Sequence, residues 1–133
     1  MILGTDSDTE ESIRETYRFI QKNKVPIPRF YILTPVPGTE LFMEMKREGK
    51  LLTENLEDFN GSRCVHKPEN ISPEKLNEMY WWLNKKVFSI GSIVSRTLFN
   101  VRLWNNLKIL ILSFVVNLHY RKYIMKGTPP NIF

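Results

Sequence analysis

Arg29-Phe30-Tyr31-Ile32-Leu33 runs straight into Thr34-Pro35-Val36-Pro37-Gly38-Thr39, and this junction decides the fold. The first five residues are rich in aromatic and β-branched side chains and read as a strand. The next six cannot be helical or form a regular ladder, because Pro35 and Pro37 fix φ and lack an N–H. Toward the N-terminus, Pro26 and Pro28 stop a helix near Asn23. That helix starts behind Ser7 and Glu10, which have capping-box spacing, and Asp8, Glu10 and Glu11 suit its positive end. Ile13, Tyr17 and Ile20 give it one apolar stripe. Before it, Met1–Gly4 reads as the end of a buried strand. Toward the C-terminus, Thr39 caps a short helix carrying Leu41, Phe42 and Met45, and Gly49 ends it. Strand, helix, strand and helix in this order predict a parallel α/β layer over residues 1–50. Two parallel strands cannot make a sheet buried on both faces, so the front half reads as a fragment of a larger α/β fold.

Beyond it, residues 51–71 are a polar connection, with a short extended piece at Arg63–His66. Ser72 and Pro73 then open a helix in the order N-cap and first helical position. Leu76, Met79, Tyr80, Leu83 and Val87 continue it at helical spacing, and Gly91 is expected to bend or interrupt it. A last helix is predicted from about Leu103 to Lys126, closed by Gly127 and stopped by Pro129-Pro130. Asn106, Ser113, Asn117 and Arg121 form a narrow polar stripe on it. The remaining circumference is apolar, which predicts a buried helix. Residues 72–133 thus read as a mainly α-helical C-terminal region.

The chain has 133 residues and a net charge of +5, with 42% hydrophobic and 25% charged residues, values of an ordinary folded protein. Its charge is unevenly placed. Residues 1–78 hold 11 basic and 14 acidic side chains, while residues 79–133 hold eight basic ones and no acid. The basic region therefore suits something anionic. The N-terminus has no secretory signal pattern, and the longest uncharged apolar run, Ile109–Tyr120, is 12 residues where a membrane span needs roughly 20. One cysteine and no export signal predict a cytoplasmic location, with the basic region open to membrane-peripheral attachment. A lone Cys64 excludes an internal disulfide and an all-cysteine metal site.

In parallel α/β folds, ligands bind beyond the carboxyl ends of strands. Gly4, Asp6 and Asp8 follow the first strand, and a carboxylate there can accept from a ribose or an amine. Equally, the two aspartates can simply cap the helix. Leu33, Thr34 and Pro35 follow the second strand. The rigid loop can offer carbonyls to an adenine amino group, or serve only as a stiff crossover. His66 and His119 lie too far apart to suggest a metal pair and read as surface or partly packed residues. Cys64 reads as a small buried side chain. Tyr80-Trp81-Trp82 and Trp104, set among lysines and arginines, admit base stacking, a membrane interface, or plain packing between helices.

The order Gly4-Thr5-Asp6-Ser7-Asp8-Thr9, an acidic amphipathic helix, then Phe30–Thr39 resembles the late barrel segments of radical S-adenosylmethionine enzymes that carry an N-terminal cobalamin-binding domain. Gly49–Thr53, Asp58-Phe59-Asn60-Gly61, Ser72–Leu76 and Tyr80-Trp81-Trp82 are similar to the segment downstream of the barrel in that subfamily. The resemblance implies the last βα units of a partial (β/α) barrel. In the parent enzyme it further implies a [4Fe–4S] cluster that cleaves S-adenosylmethionine, a 5′-deoxyadenosyl radical, and cobalamin-assisted methyl transfer or ring rearrangement. By position, Gly4 and Asp6 match the fifth-strand motif near bound S-adenosylmethionine, and Leu33, Thr34 and Pro35 match the sixth-strand end near the adenine. The three-cysteine cluster motif, the glycine-rich methionine-binding strand and the cobalamin domain have no counterpart here. The chain is therefore expected to be a C-terminal piece that neither binds the cluster nor catalyses alone. Its expected partners are the N-terminal barrel and cobalamin domain. The alternative is a non-catalytic basic helical module, residues 79–133, that docks on an anionic membrane surface or a protein partner. The open strand edges of the front half are also expected to self-associate, and nucleic acid is not expected because the basic residues are dispersed among apolar ones.

Overall fold

The computed structural model describes residues 1–129, an α-rich chain with one small parallel sheet. Strand β1 (Ile2–Leu3) pairs with β2 (Tyr31–Ile32) in parallel, in the register Ile2 to Tyr31 and Leu3 to Ile32. Extended hydrogen bonding reaches further than the strands themselves. Tyr31 N–H donates to Met1 O at 3.0 Å and Leu33 N–H to Leu3 O at 2.7 Å. On its other edge β2 is engaged too, Ile32 N–H donating to Gly61 O at 2.7 Å. Phe30 and Ile32 are buried while Tyr31 is exposed, the alternation of a strand with one covered face. The expected strand ahead of the proline bend is thus present, and its partner is the parallel strand expected from the first residues.

The residues gather into two compact units, Met1–Ile13 with Phe30–Tyr80, and Arg14–Arg29 with Trp81–Phe133. The first holds the sheet. Helix α1 (Glu10–Lys22) begins there, capped by Thr9 rather than Ser7. Ser12 N–H donates to Thr9 Oγ1 at 3.1 Å, and Thr9 N–H donates back to Ser12 Oγ at 3.0 Å. The expected Ser7–Glu10 box gives way to this Thr9–Ser12 pair because the Asp8 carboxylate is drawn back into the preceding loop. Thr39 caps α2 (Glu40–Arg47) as predicted, and Gly49 leaves it at positive φ. A 3-10 turn (Leu56–Asp58) leads to an antiparallel bridge between Leu51 and His66, which gives the predicted extended piece its partner. Helix α3 (Pro73–Val87) starts behind Ser72, whose Oγ accepts from Lys75 N–H at 3.2 Å.

The second unit is helical: α4 (Ile90–Thr97), α5 (Val101–Trp104) and α6 (Leu107–Met125), with α6 packed on α4 and α5. The helix break falls at Phe88-Ser89, not at Gly91. Ser89 can cap α4, its Oγ accepting from Ser92 N–H, while Gly91 sits harmlessly in the first turn. The last helix likewise starts later than predicted. Asn106 caps α6 by accepting from Ile109 N–H at 3.3 Å, and Leu103 belongs to the short α5 before it. Pro130 of the predicted stop lies outside the described residues.

The main departure concerns which side of α6 faces inward. Ser113 and Asn117 are buried, flanked by Leu110, Tyr120 and Ile124, while Leu107, Ile111, Leu112, Val115, Leu118 and Met125 are exposed. The cause is Arg96 on α4, whose guanidinium is fully buried. Its Nη1 donates to Val25 O at 2.8 Å and Pro26 O at 3.1 Å, and its Nη2 to Val87 O at 2.8 Å and Asn117 Oδ1 at 3.0 Å. Asn117 Nδ2 in turn donates to Pro26 O at 2.8 Å. These carbonyls lie at or just past the ends of α1 and α3, where backbone oxygens lack helical partners and the dipole favours a cation. Burial pushes the Arg96 pKa down to about 10, so the group is still charged at neutral pH. A buried cation needs its hydrogen bonds completed, and α6 supplies one from its polar stripe.

Candidate functional site

The loops at the carboxyl ends of β1 and β2 carry the residues singled out from the sequence. Gly4 is buried with φ +88°. Its N–H donates to Asp8 Oδ2 at 2.8 Å, and its carbonyl accepts from His66 Nε2 at 2.8 Å. A Cβ at this position would lie 2.6 Å from Leu76 Cδ2. Glycine is thus required by conformation and by a close approach, with both its backbone groups engaged inside the fold.

Asp8 organises the turn. Its Oδ2 also accepts from Thr5 N–H at 3.0 Å and Thr5 Oγ1 at 2.9 Å, and its Oδ1 from Ser12 Oγ at 3.1 Å. Asp6 is exposed, and Asn70 Nδ2 donates to its carbonyl. Of the two aspartates, Asp8 therefore holds the loop, while Asp6 stays at the surface.

Leu33 and Thr34 line an open cavity of about 350 Å³, together with Ile2, Tyr31, Ile32, Asn60 and Gly61. Gly4, Asp6 and Pro35 are not among its lining residues; Pro35 is buried behind the bend. Thr34 Oγ1 donates to Ile32 O at 2.9 Å, which leaves its oxygen lone pair as an acceptor. Gly61 passes close to Tyr31, a built Cβ meeting Tyr31 Cδ1 at 3.0 Å. Ile2, Tyr31, Ile32, Asn60 and Gly61 are not among the site residues read from the sequence alone. The usable signal was the Asn60-Gly61 turn, whose carbonyl pairs with β2 and brings the turn to the cavity.

His66 is more enclosed than the surface or partly packed position expected for it. It is fully buried, its Nε2–H donating to Gly4, and its Nδ1 has no hydrogen-bond partner. Cys64 is buried as expected, its thiol donating to His66 O at 3.0 Å. Burial pushes the thiol pKa up, the His66 contact opposes this, and Glu74 adds to the rise. A protonated, enclosed thiol is a poor nucleophile and a poor metal ligand. Among the described residues no three His, Cys, Asp or Glu side chains gather as a metal site. A cubane cluster therefore does not fit this chain's donors. The cavity walls combine apolar side chains, Ile2 and Leu33, with one hydroxyl acceptor, Thr34.

The aromatic residues divide. Tyr80 is buried, and Trp82 packs edge-on against Tyr17 at 5.9 Å with Arg14 over its ring at 4.8 Å, whereas Trp104 is exposed.

Comparison with known proteins gives this geometry a context. Over 117 residues, 88% of the chain, it is 30% identical to bacteriochlorophyllide d C-8(2)-methyltransferase of Chlorobaculum tepidum, covering 24% of that protein. Over 95 residues, 71% of the chain, it is 34% identical to the C-12(1)-methyltransferase of the same organism, covering 20% of it. Hopanoid C-2 methylase of Rhodopseudomonas palustris is 32% identical over 60 residues, 45% of the chain and 11% of that enzyme. The homologues are methyltransferases. The chain spans about a quarter or less of the length of these relatives. No protein-family model and no solved structure matches it.

Proposed function

We infer that these residues are part of a radical S-adenosylmethionine methyltransferase of the cobalamin-binding type, contributing the last βα units of its barrel and a helical extension. The reaction is carbon methylation, and the relatives' names point to a polycyclic acceptor. The observation that carries this reading is the similarity over 88% of the chain to an enzyme named for methylating a specific carbon. The parallel pair β1–β2, ending at one cavity, supports it.

In this reading Leu33 and Thr34 hold the adenine end of S-adenosylmethionine, with Ile2 and Ile32 as apolar wall and the Thr34 oxygen as acceptor. S-adenosylmethionine supplies the reactive carbon chemistry when bound. Gly4, Asp8 and His66 hold the neighbouring loop in shape. Because the donors of this chain do not fit an iron–sulfur cluster, the cluster ligands and cobalamin are assigned to the remainder of the parent protein, and these residues alone are inactive.

The test is anaerobic reconstitution of the chain and of a version extended upstream. The extended protein should absorb near ~400 nm, as thiolate-held clusters do, and transfer radiolabelled methyl groups from S-adenosylmethionine. In it, Leu33→Asp should weaken S-adenosylmethionine binding about tenfold, the cost of one buried unpaired charge at a ligand wall. Unchanged affinity would remove these residues from the site, and cluster assembly by the short chain would overturn the reading altogether.

A further inference from the structure

The exposed face of α6 holds one continuous stripe: Lys108, Ile111, Val115, Leu118 and Lys122, spaced i, i+3, i+7, i+10 and i+14. Ile111, Val115 and Leu118 are 55%, 56% and 42% exposed, and Leu112, at 58%, lies beside them. At 1.5 Å per residue the stripe is about 21 Å long, an apolar ridge with a lysine at each end. Soluble surfaces rarely expose such a row of aliphatic side chains without a partner.

The charge of the surrounding unit says what that partner is. Arg14–Arg29 and Trp81–Phe133 together hold thirteen Lys and Arg against one acid, Glu15, a net charge of +12. No helix among the described residues is long and apolar enough to cross a membrane. An aliphatic ridge with cationic ends, too short to span, is the pattern of a helix lying in the headgroup layer. Its lysine stems follow the apolar surface and their ammonium groups meet lipid phosphates. Nucleic acid offers phosphates but no use for Ile111, Val115 and Leu118.

We propose that α6 docks this protein on an anionic lipid surface, with Ile111, Leu112, Val115 and Leu118 entering the interface and Lys108 and Lys122 on the headgroups. The inference is independent of the methyltransferase reading, since it uses neither the cavity nor a cofactor.

The test is flotation of the full chain with vesicles of phosphatidylcholine alone and of equimolar phosphatidylcholine and phosphatidylglycerol. Binding should favour the anionic vesicles by at least about tenfold and weaken as salt is raised. The triple variant Ile111→Ser, Val115→Ser, Leu118→Ser should lose about tenfold in binding while keeping its helical circular dichroism, because none of the three is in the core. The pair Lys108→Gln and Lys122→Gln should lose the preference for anionic lipid and keep the same fold. No binding to anionic vesicles overturns the proposal. So does a triple variant that binds as well as the native chain, which would be charge adsorption of the kind RNA also produces. A dimer that the triple variant dissociates, with no vesicle binding, would assign the ridge to a second copy of this chain instead.

Discussion

Gly4 shows how one position joins backbone conformation, packing and a buried polar contact. Its positive φ and the 2.6 Å approach to Leu76 leave no room for a side chain. Gly4→Ala should cost about 2–3 kcal/mol, from strained φ and a displaced core leucine. Urea unfolding checks it, and a loss under about half a kcal/mol would mean that the loop relaxes freely. Asp8→Ala removes the acceptor of four hydrogen bonds and should cost about 2 kcal/mol. Asp8→Asn should retain part of that, since one amide oxygen remains. Cys64 sets an alkaline limit. Its folded thiol pKa is raised above the ordinary 9.0, so the neutral thiol contributes fully below about pH 9 and that contribution is lost as pH rises through the folded value. The stability of the native chain should therefore fall more steeply above pH 9 than that of Cys64→Ala, and native Cys64 should resist iodoacetamide at pH 8 until the chain unfolds. Gly4 and Cys64 were legible in the sequence as a loop glycine and a buried thiol. The buried state of His66 was not, because its partner is a carbonyl 62 residues away.

At the scale of elements, capping chemistry decides where the helices begin. Ser72-Pro73 and Thr39 are caps with little local competition, and the helices start where they direct. Ser7 loses to Thr9 because Asp8 is held by the loop, and the break expected at Gly91 moves to Ser89, a residue with a hydroxyl to offer. The orientation of α6 is decided by Arg96 and Asn117. Arg96→Ala should cost about 3–4 kcal/mol, since it leaves Asn117 and three carbonyls short of a donor inside the fold. Arg96→Lys should recover less than half, because one ammonium cannot match the planar fork that serves these acceptors together. Asn117→Leu, which keeps the branching at Cγ, should also destabilise, by about 2 kcal/mol, because one buried guanidinium N–H loses its acceptor and Pro26 O loses a donor. A stabilised Asn117→Leu would mean that the polar stripe does not orient the helix.

Taken whole, the molecule segregates charge. The thirteen basic residues against one acid in Arg14–Arg29 and Trp81–Phe133 repel one another, while the other unit holds six basic and thirteen acidic residues. Salt should screen that repulsion. All three tryptophans lie in the basic unit, so their fluorescence reports on it alone. Its thermal midpoint should rise by a few degrees between ~0.05 and ~0.5 M sodium chloride, and a fall would show that ion pairs outweigh the repulsion.

Local signals were enough for the strand–helix–strand order, the proline bend, the caps at Thr39 and Ser72, and the acid-free stretch after Glu78, because turn chemistry, periodicity and charge act over a few residues or by simple count. Only tertiary structure decided which flank of α6 is inside. A helix apolar around most of its girth has no preferred face of its own. The choice fell to a buried guanidinium 21 residues away that required an amide oxygen, and the aliphatic side was left facing outward.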